Sequence, residues 1–260
     1  MSGTPTRIRF LEYLPADYNT TNKTYPLIIF AHGAGETSKN DDPSADSAEY
    51  ARLRLHGPAK HIAQNHNMCF TVAGEESCFI VISPQSPKVD SWWRVDRLRA
   101  VLDYAKANLR VDTSRIYFTG LSMGGGATWA FARSQRYNPN EFYAAELAAI
   151  VPICGADQVS AIACNMANHS LPIWAFHGTA DGTVSIERSR EFVNAINGIS
   201  AAGVQCSPAN PVKALLTEYA GVGHDSWTKT YNPATRFNPA TAVEDNSGIN
   251  IYQWMLMHSR

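Results

Sequence analysis

The chain has 260 residues, 45% hydrophobic and 17% charged, with a formal net charge of -1. Those figures fit one α/β domain over residues 1–260 with a substantial core. They argue against an electrostatic nucleic-acid surface, because the charge is balanced and no long basic run occurs. No apolar run reaches membrane-spanning length. Met1 to Thr6 has no leader pattern, which fits either a native start or a start left by removal of a leader.

Arg7 to Leu14 alternates roughly between polar and apolar and reads as an edge strand with one solvated face. Asp17 to Thr24 is a polar turn. Pro26 to Ala31 is a continuous apolar run, the pattern of a central parallel strand. It runs into His32-Gly33-Ala34-Gly35-Glu36, a glycine-rich loop able to turn a backbone N–H toward a neighbouring strand end. Residues 37–67 are polar. Asp41-Asp42-Pro43 precedes a short helix expected from Tyr50 to Leu55, which His56-Gly57-Pro58 should break. So long an excursion is expected to wall a site mouth. His61 and His66 stand five apart, the wrong spacing for two metal ligands on one helix face, and read as solvated.

Phe79 to Ser83 is a buried strand expected to end at Pro84. Ser91-Trp92-Trp93-Arg94 then lies at the carboxyl end of a parallel strand, the rim where such sheets bind ligands. The two tryptophans are either an aromatic wall for a substrate or one core ring and one ring capping it. Val95, Leu98, Val101, Leu102, Ala105 and Leu109 keep helical spacing. Arg115 to Phe118 is β-branched and aromatic, a buried strand. It ends in Gly120-Leu121-Ser122-Met123-Gly124, and Ala127 to Ala132 reads as a helix. Ala148 to Gly155 and Leu171 to Gly178 are further strands. Glu187 to Ile196 is a surface helix, Val212 to Ala220 the last strand, and Ile249 to Met257 a closing amphipathic helix. Strands alternate with helices throughout, which predicts a mostly parallel central sheet with helices on both faces.

The five cysteines suggest a compartment. Cys69 and Cys78 flank a loop with its own turn residues, and Cys164 and Cys206 each lie in a polar loop before an expected strand. Loops of that kind emerge at the same end of a parallel sheet. Disulfides Cys69–Cys78 and Cys164–Cys206 follow, with Cys154 buried and free, and they favour an exported protein. The alternative is five reduced thiols in the cytosol. Sequons at Asn19, Asn22 and Asn168 matter only in a glycosylating host.

The chemistry concentrates at Ser122. A strand turning into a helix through G-x-S-x-G is a nucleophile elbow. Asp181 follows a strand end, where a carboxylate can hold an imidazole in one tautomer, and His224 sits in a glycine-flanked loop after the last strand. Ser122, Asp181 and His224 are therefore the expected nucleophile, acid and base. The backbone N–H groups of Ala34 and Met123 are the expected oxyanion donors. His32 and His177 are expected to brace loops. Asp225 is rejected as the acid, since adjacent side chains rarely face each other. Trp92, Trp93 and Trp227 are the candidate substrate-binding residues.

The order Ser122, Asp181, His224 resembles that of the α/β-hydrolases. The chain is similar to a narrower group within them, the phospholipase/carboxylesterase-like and predicted-peptidase esterases, akin to feruloyl esterases and polyhydroxybutyrate depolymerases. The matching segments are His32 to Glu36, Ser83-Pro84-Gln85, Gly120 to Gly125, Val151 to Gly155, Trp174 to Gly178 with Asp181, and His224 with Trp227. The resemblance implies an α/β-hydrolase fold with a trimmed N-terminal edge and no large lid. It implies a serine carboxylesterase for short-chain acyl or aryl esters, on small molecules or polysaccharide, needing no cofactor and no metal. A serine peptidase would call for a substrate-filtering cap, and the chain carries no propeller-like repeat. A non-catalytic binding module would be expected to lack a triad member, and none is missing.

Overall fold

The computed structural model describes residues 8–39, 47–138, 140–208 and 210–260. Arg7, at the start of the expected edge strand, and Asp41 to Pro43 lie outside them. Strand β1 (Arg9–Tyr13) is followed by β2 (Tyr25–Ala31), every residue of which is buried. Helices α1 (Ser47–Arg52) and α2 (Gly57–Ala63) come next. Gly57-Pro58 starts α2 as well as separating it from α1, because a proline in the first turn of a helix loses no hydrogen bond. Strands β3 (Cys69–Val72) and β4 (Glu75–Cys78) form a hairpin in which Cys69 and Cys78 stand directly opposite.

The remaining elements alternate as expected. They are β5 (Ile80–Gln85), α3 (Val95–Asn108), β6 (Val111–Leu121), α4 (Met123–Arg133), α5 (Tyr143–Glu146) and β7 (Ala149–Ile153). After them come α6 (Cys164–Asn168), β8 (Trp174–Gly178), α7 (Glu187–Ile196), β9 (Leu215–Tyr219), α8 (Trp227–Thr230), the two-residue strands β10 (Phe237–Asn238) and β11 (Val243–Glu244), and α9 (Ile251–Leu256). Strand β5 continues through Pro84, contrary to the sequence expectation. Its pairing with β2 covers only Ile80 to Ile82, so the missing N–H of Pro84 costs that ladder nothing. Strand β6 is longer than its apolar run, because Val111 also pairs with Tyr25 across an irregularity in β2.

Among the described residues seven strands form one sheet in the order β1-β5-β2-β6-β7-β8-β9, with β1 antiparallel at the edge and the others parallel. Side chains alternate across it. Leu27, Ile29, Ile116, Phe118 and Ile150 pack with α3, α4, α6 and α7 on one face. Ile28, Phe30, Tyr117, Val151, Trp174 and Phe176 pack with the β3–β4 hairpin and α9 on the other. Period-two alternation in strands that are apolar at every position is what burial on both faces requires. Among the described residues no helix is long and apolar enough to cross a membrane.

Two disulfides are present, Cys69–Cys78 and Cys164–Cys206, and Cys154 is a buried free thiol. The first clips a hairpin whose strands already pair. The second closes a loop of sequence separation 42, tying α6 to the segment that follows α7. Replacing Cys164 and Cys206 together by serine should lower unfolding stability by about 4 kcal/mol, from the entropy returned to the unfolded chain. Replacing Cys69 and Cys78 should cost about 2–3 kcal/mol. Denaturant unfolding of the two double variants should rank them in that order.

Candidate active site

Ser122 stands between β6 and α4, at φ +53° and ψ -117°. A side chain other than glycine is strained there, by about 1–3 kcal/mol. The neighbouring glycines allow the turn to be that sharp. A Cβ on Gly120 would sit 2.3 Å from the carbonyl oxygen of Gly124, and one on Gly124 would sit 2.0 Å from that of Ala31. Ala31 also lies opposite Gly120 in the β2–β6 ladder. Helix α4 therefore starts in backbone contact with the end of β2, and the loop leaving β2 meets the elbow.

The structure brings the three sequence-predicted polar residues together. His224 Nε2 is 2.9 Å from Ser122 Oγ, and His224 Nδ1 is 2.7 Å from Asp181 Oδ2. The Asp181 side chain is wholly buried, while that of His224 is 22% exposed. The other carboxylate oxygen of Asp181 accepts from the amides of Thr183 and Val184, each at 2.9 Å. Burial opposes the charge on Asp181, but the bond from His224 and those two amides outweigh it, and its pKa lies below the ordinary value. His177 stands on the other side of Asp181 Oδ2, with Nε2 at 3.2 Å from it and 2.9 Å from the Val184 carbonyl. Its Nδ1 is 2.8 Å from Ser189 Oγ. His177 thus pins the loop that carries Asp181.

Asp225 is used locally. Its carboxylate accepts from the amide and the hydroxyl of Thr228 at the start of α8. Cys154, read from sequence only as buried and free, lies beneath the site at φ +38°. Ligand atoms of Cys154, Asp181 and His224 all fall within 4.8 Å of one another. Burial pushes the Cys154 thiol up to about 12, which keeps it protonated, and Asp181 and His224 are engaged with each other. A second cluster, Cys69, Glu76 and Cys78, spends both cysteines on the disulfide.

The His32 loop is anchored from several sides. His32 Nδ1 donates to the Gly33 carbonyl at 2.6 Å, and Nε2 accepts from the amide of Ser86 at 2.9 Å. That pattern fits the neutral ring, and burial lowers its pKa to about 4. Ala34 opens the 3-10 turn Ala34–Glu36, and Met123 opens α4. Both amides are first-turn donors, and among the described residues neither gives a backbone hydrogen bond.

The three tryptophans separate. Trp93 is 4% exposed, donates its indole N–H to the His32 carbonyl at 3.0 Å and packs 4.7 Å from the His32 ring. Of the two adjacent rings Trp93 is therefore the inner one, bracing the His32 loop from within. Trp92 is 44% exposed. Trp227 lies edge-on to His224 at 5.1 Å and donates to His56 Nδ1 at 3.2 Å. His56 was read from sequence only as part of a helix break, and no motif pointed to this contact. A cavity of about 300 Å³ also opens beside the elbow, lined by Ala156, Asp157, Gln158, Thr183, Val184 and Arg188. The amide of Ala156 rests on the Ser122 carbonyl at 3.2 Å. A larger cavity of about 470 Å³, against edge strand β1 and α2, contains none of the site residues.

A parallel sheet with a strained serine at a strand-to-helix elbow, and Asp and His on later strand ends, is the α/β-hydrolase fold, and this chain has it. No family model matches the chain. It is 28% identical over 149 residues to a bifunctional acetylxylan esterase/xylanase of Neocallimastix patriciarum, covering 54% of this chain and 20% of that protein. It is 28% identical over 124 residues to feruloyl esterase D of Neurospora crassa, covering 46% and 39%. Among solved structures, a thermostable esterase superposes with a TM-score of 0.63 at 25% identity, over 97% of this chain and 59% of that one. The chain thus spans less than two thirds of the length of each of these relatives.

Gly124→Ala tests the contact between helix and strand. The added methyl would meet the Ala31 backbone at 2.0 Å, and backbone cannot rotate away. Stability should fall by about 3 kcal/mol or more, measured by denaturant unfolding. Gly35→Ala, where a Cβ meets nothing within 4 Å, should leave stability within about 1 kcal/mol.

Proposed function

We propose that this chain is a serine carboxylesterase working through an acyl-enzyme, with residues 1–260 acting as one α/β-hydrolase unit. The observation that carries the reading is the unbroken chain Ser122 Oγ, His224 Nε2 at 2.9 Å, and Asp181 Oδ2 at 2.7 Å from His224 Nδ1, built on an elbow. Ser122 attacks the ester carbonyl carbon as its proton passes to His224 Nε2. The carbonyl oxygen becomes an oxyanion held by the amides of Ala34 and Met123, a contribution of about 3–4 kcal/mol for such a donor. His224 returns the proton to the departing alcohol, leaving the acyl group on Ser122. Water, deprotonated by the same nitrogen, then attacks the acyl carbon, and His224 returns the proton to Ser122 Oγ as the acid leaves. Asp181 holds the Nδ1–H tautomer and stabilises the imidazolium in each half. No step calls on a metal or an organic cofactor.

The substrate class follows from the site and the relatives together. Trp227 and Trp92 offer flat apolar walls, and the cavity beside Ala156 offers polar groups. Short acyl or aryl esters suit that combination. The names of the two curated relatives favour esters carried on polysaccharide, acetyl or feruloyl. The two disulfides favour an exported enzyme.

Hydrolysis of p-nitrophenyl esters from acetate to palmitate, of methyl ferulate and of acetylated xylan tests the reading. Turnover should be highest on the short or aryl esters. Ser122→Ala should lower kcat about 10⁶-fold and Asp181→Asn about 10⁴-fold. Turnover that survives Ser122→Ala, or that peaks at palmitate, would contradict it.

A further inference from the structure

Glu36 ends the loop that carries Ala34, and the proposed reaction gives it no task. Its side chain is only 8% exposed, and its Oε2 has no hydrogen-bond partner among the described residues. The backbone around it is fixed, since Gln85 Nε2 donates to the Glu36 carbonyl at 3.0 Å. His56 Nε2 lies 3.8 Å from Glu36 Oε1. His56 Nδ1 accepts the indole N–H of Trp227. An indole nitrogen can only donate, so Nδ1 is unprotonated and the neutral ring carries its proton on Nε2, facing Glu36. Trp227 in turn packs edge-on against His224. One chain of polar contacts therefore runs from the oxyanion loop, through Glu36 and His56, to the aromatic wall beside the proposed base.

We propose that Glu36 and His56 form a second acid–base pair that positions the oxyanion loop against Trp227, outside the proton relay of Ser122 and His224. This rests on the esterase reading of the site. When Glu36 ionises, the His56 Nε2–H, at 3.8 Å just beyond hydrogen-bond distance, is drawn to a charged acceptor, and the chain from loop to wall tightens. When Glu36 is protonated, that acceptor weakens and the loop is held less firmly.

The surroundings set where the switch occurs. Burial is the main influence on Glu36 and pushes it up to about 7, against the Gly33 backbone and the Arg52 charge, which favour ionisation. His32 Nδ1 lies 4.0 Å from Glu36 Oε2, but its ring is neutral and its proton is given to Gly33. Burial lowers the pKa of His56. Asp225 opposes that effect and Lys60 adds to it, so the ring stays neutral as Glu36 titrates. Protonating His56 at Nδ1 would also break its bond from Trp227.

The decisive measurement is the pH dependence of Ser122 labelling by a fluorophosphonate, alongside kcat and KM on a short p-nitrophenyl ester. In the wild-type protein the ionisation of Glu36 should add its own rise to that of the general base, so the acid limb of the log rate should be steeper near pH 7 than the slope of about one that a single ionisation gives. Glu36→Gln keeps the volume and an acceptor oxygen but cannot titrate. Its slope should fall to about one, with kcat lowered about tenfold or more and KM nearly unchanged. His56→Ala should reduce the slope in the same way. It is half-buried, so it carries the test should Glu36→Gln fail to fold. Equal slopes in wild type and either folded variant would overturn the pair. Labelling without turnover on any ester would contradict the esterase reading while the slopes still judge the pair. A protein that does not label at all would contradict both.

Discussion

The carboxyl rim of the sheet depends on how closely α4 approaches the strands below it. Gly124 rests on the Ala31 carbonyl, where a Cβ would be only 2.0 Å away, and Gly120 lies under the first turn of the helix. That approach forces Ser122 to positive φ and lifts its hydroxyl clear of the sheet. It also presses the start of α4 against the loop leaving β2, so the amides of Met123 and Ala34 open first turns on either side of one elbow. Strain at Ser122 is held by well-buried structure on both faces, where Phe118 and Trp129 pack on one side and Tyr117 and Val151 on the other.

Electrostatics builds on that geometry through one carboxylate. Asp181 collects His224, His177 and two backbone amides on two oxygens while its side chain is removed from water. A buried carboxylate without those donors would be costly to keep ionised. With them it stays charged and fixes the ring of His224. The sign of the linkage follows: a carboxyl held below its ordinary value contributes stability that is present above the unfolded-state pKa and lost as pH falls through the folded one. Glu36 is the opposite case. It is nearly as buried but poor in donors, and burial raises its pKa. Two carboxylates near one site are thus driven apart by their surroundings, the first held as an anion and the second poised to switch.

Much of this was legible in the sequence because parallel strands send their following loops to one rim. Once the strand ahead of Ser122 and those ahead of Asp181 and His224 are read as parallel, the three residues share an end of the sheet whatever the details between. The cysteine pairing was legible for a related reason. Cys164, the first residue of α6, and Cys206 precede consecutive strands, and Cys69 and Cys78 flank a short turn that the structure shows as a hairpin. Trp93 was not legible. Adjacent tryptophans in a loop look alike in sequence, and only the hydrogen bond to His32 decides which one turns inward. Pro84 reads as a strand end unless the length of the neighbouring ladder is known. Glu36 and His56 carry no sequence signal as a pair. A glutamate after a glycine-rich loop looks solvated, and His56 is bonded from its other side by Trp227, which is 171 residues away.

The central claim is that Ser122 is acylated during turnover. The most direct test is an acid quench of the protein during hydrolysis of p-nitrophenyl acetate, followed by peptide mapping for the acetyl group. The account predicts an acetyl ester on the peptide containing Ser122, absent from His224→Ala quenched at the same time. An acetyl group found only on another residue, or steady hydrolysis with no acyl-protein at any quench time and no initial burst, would contradict it.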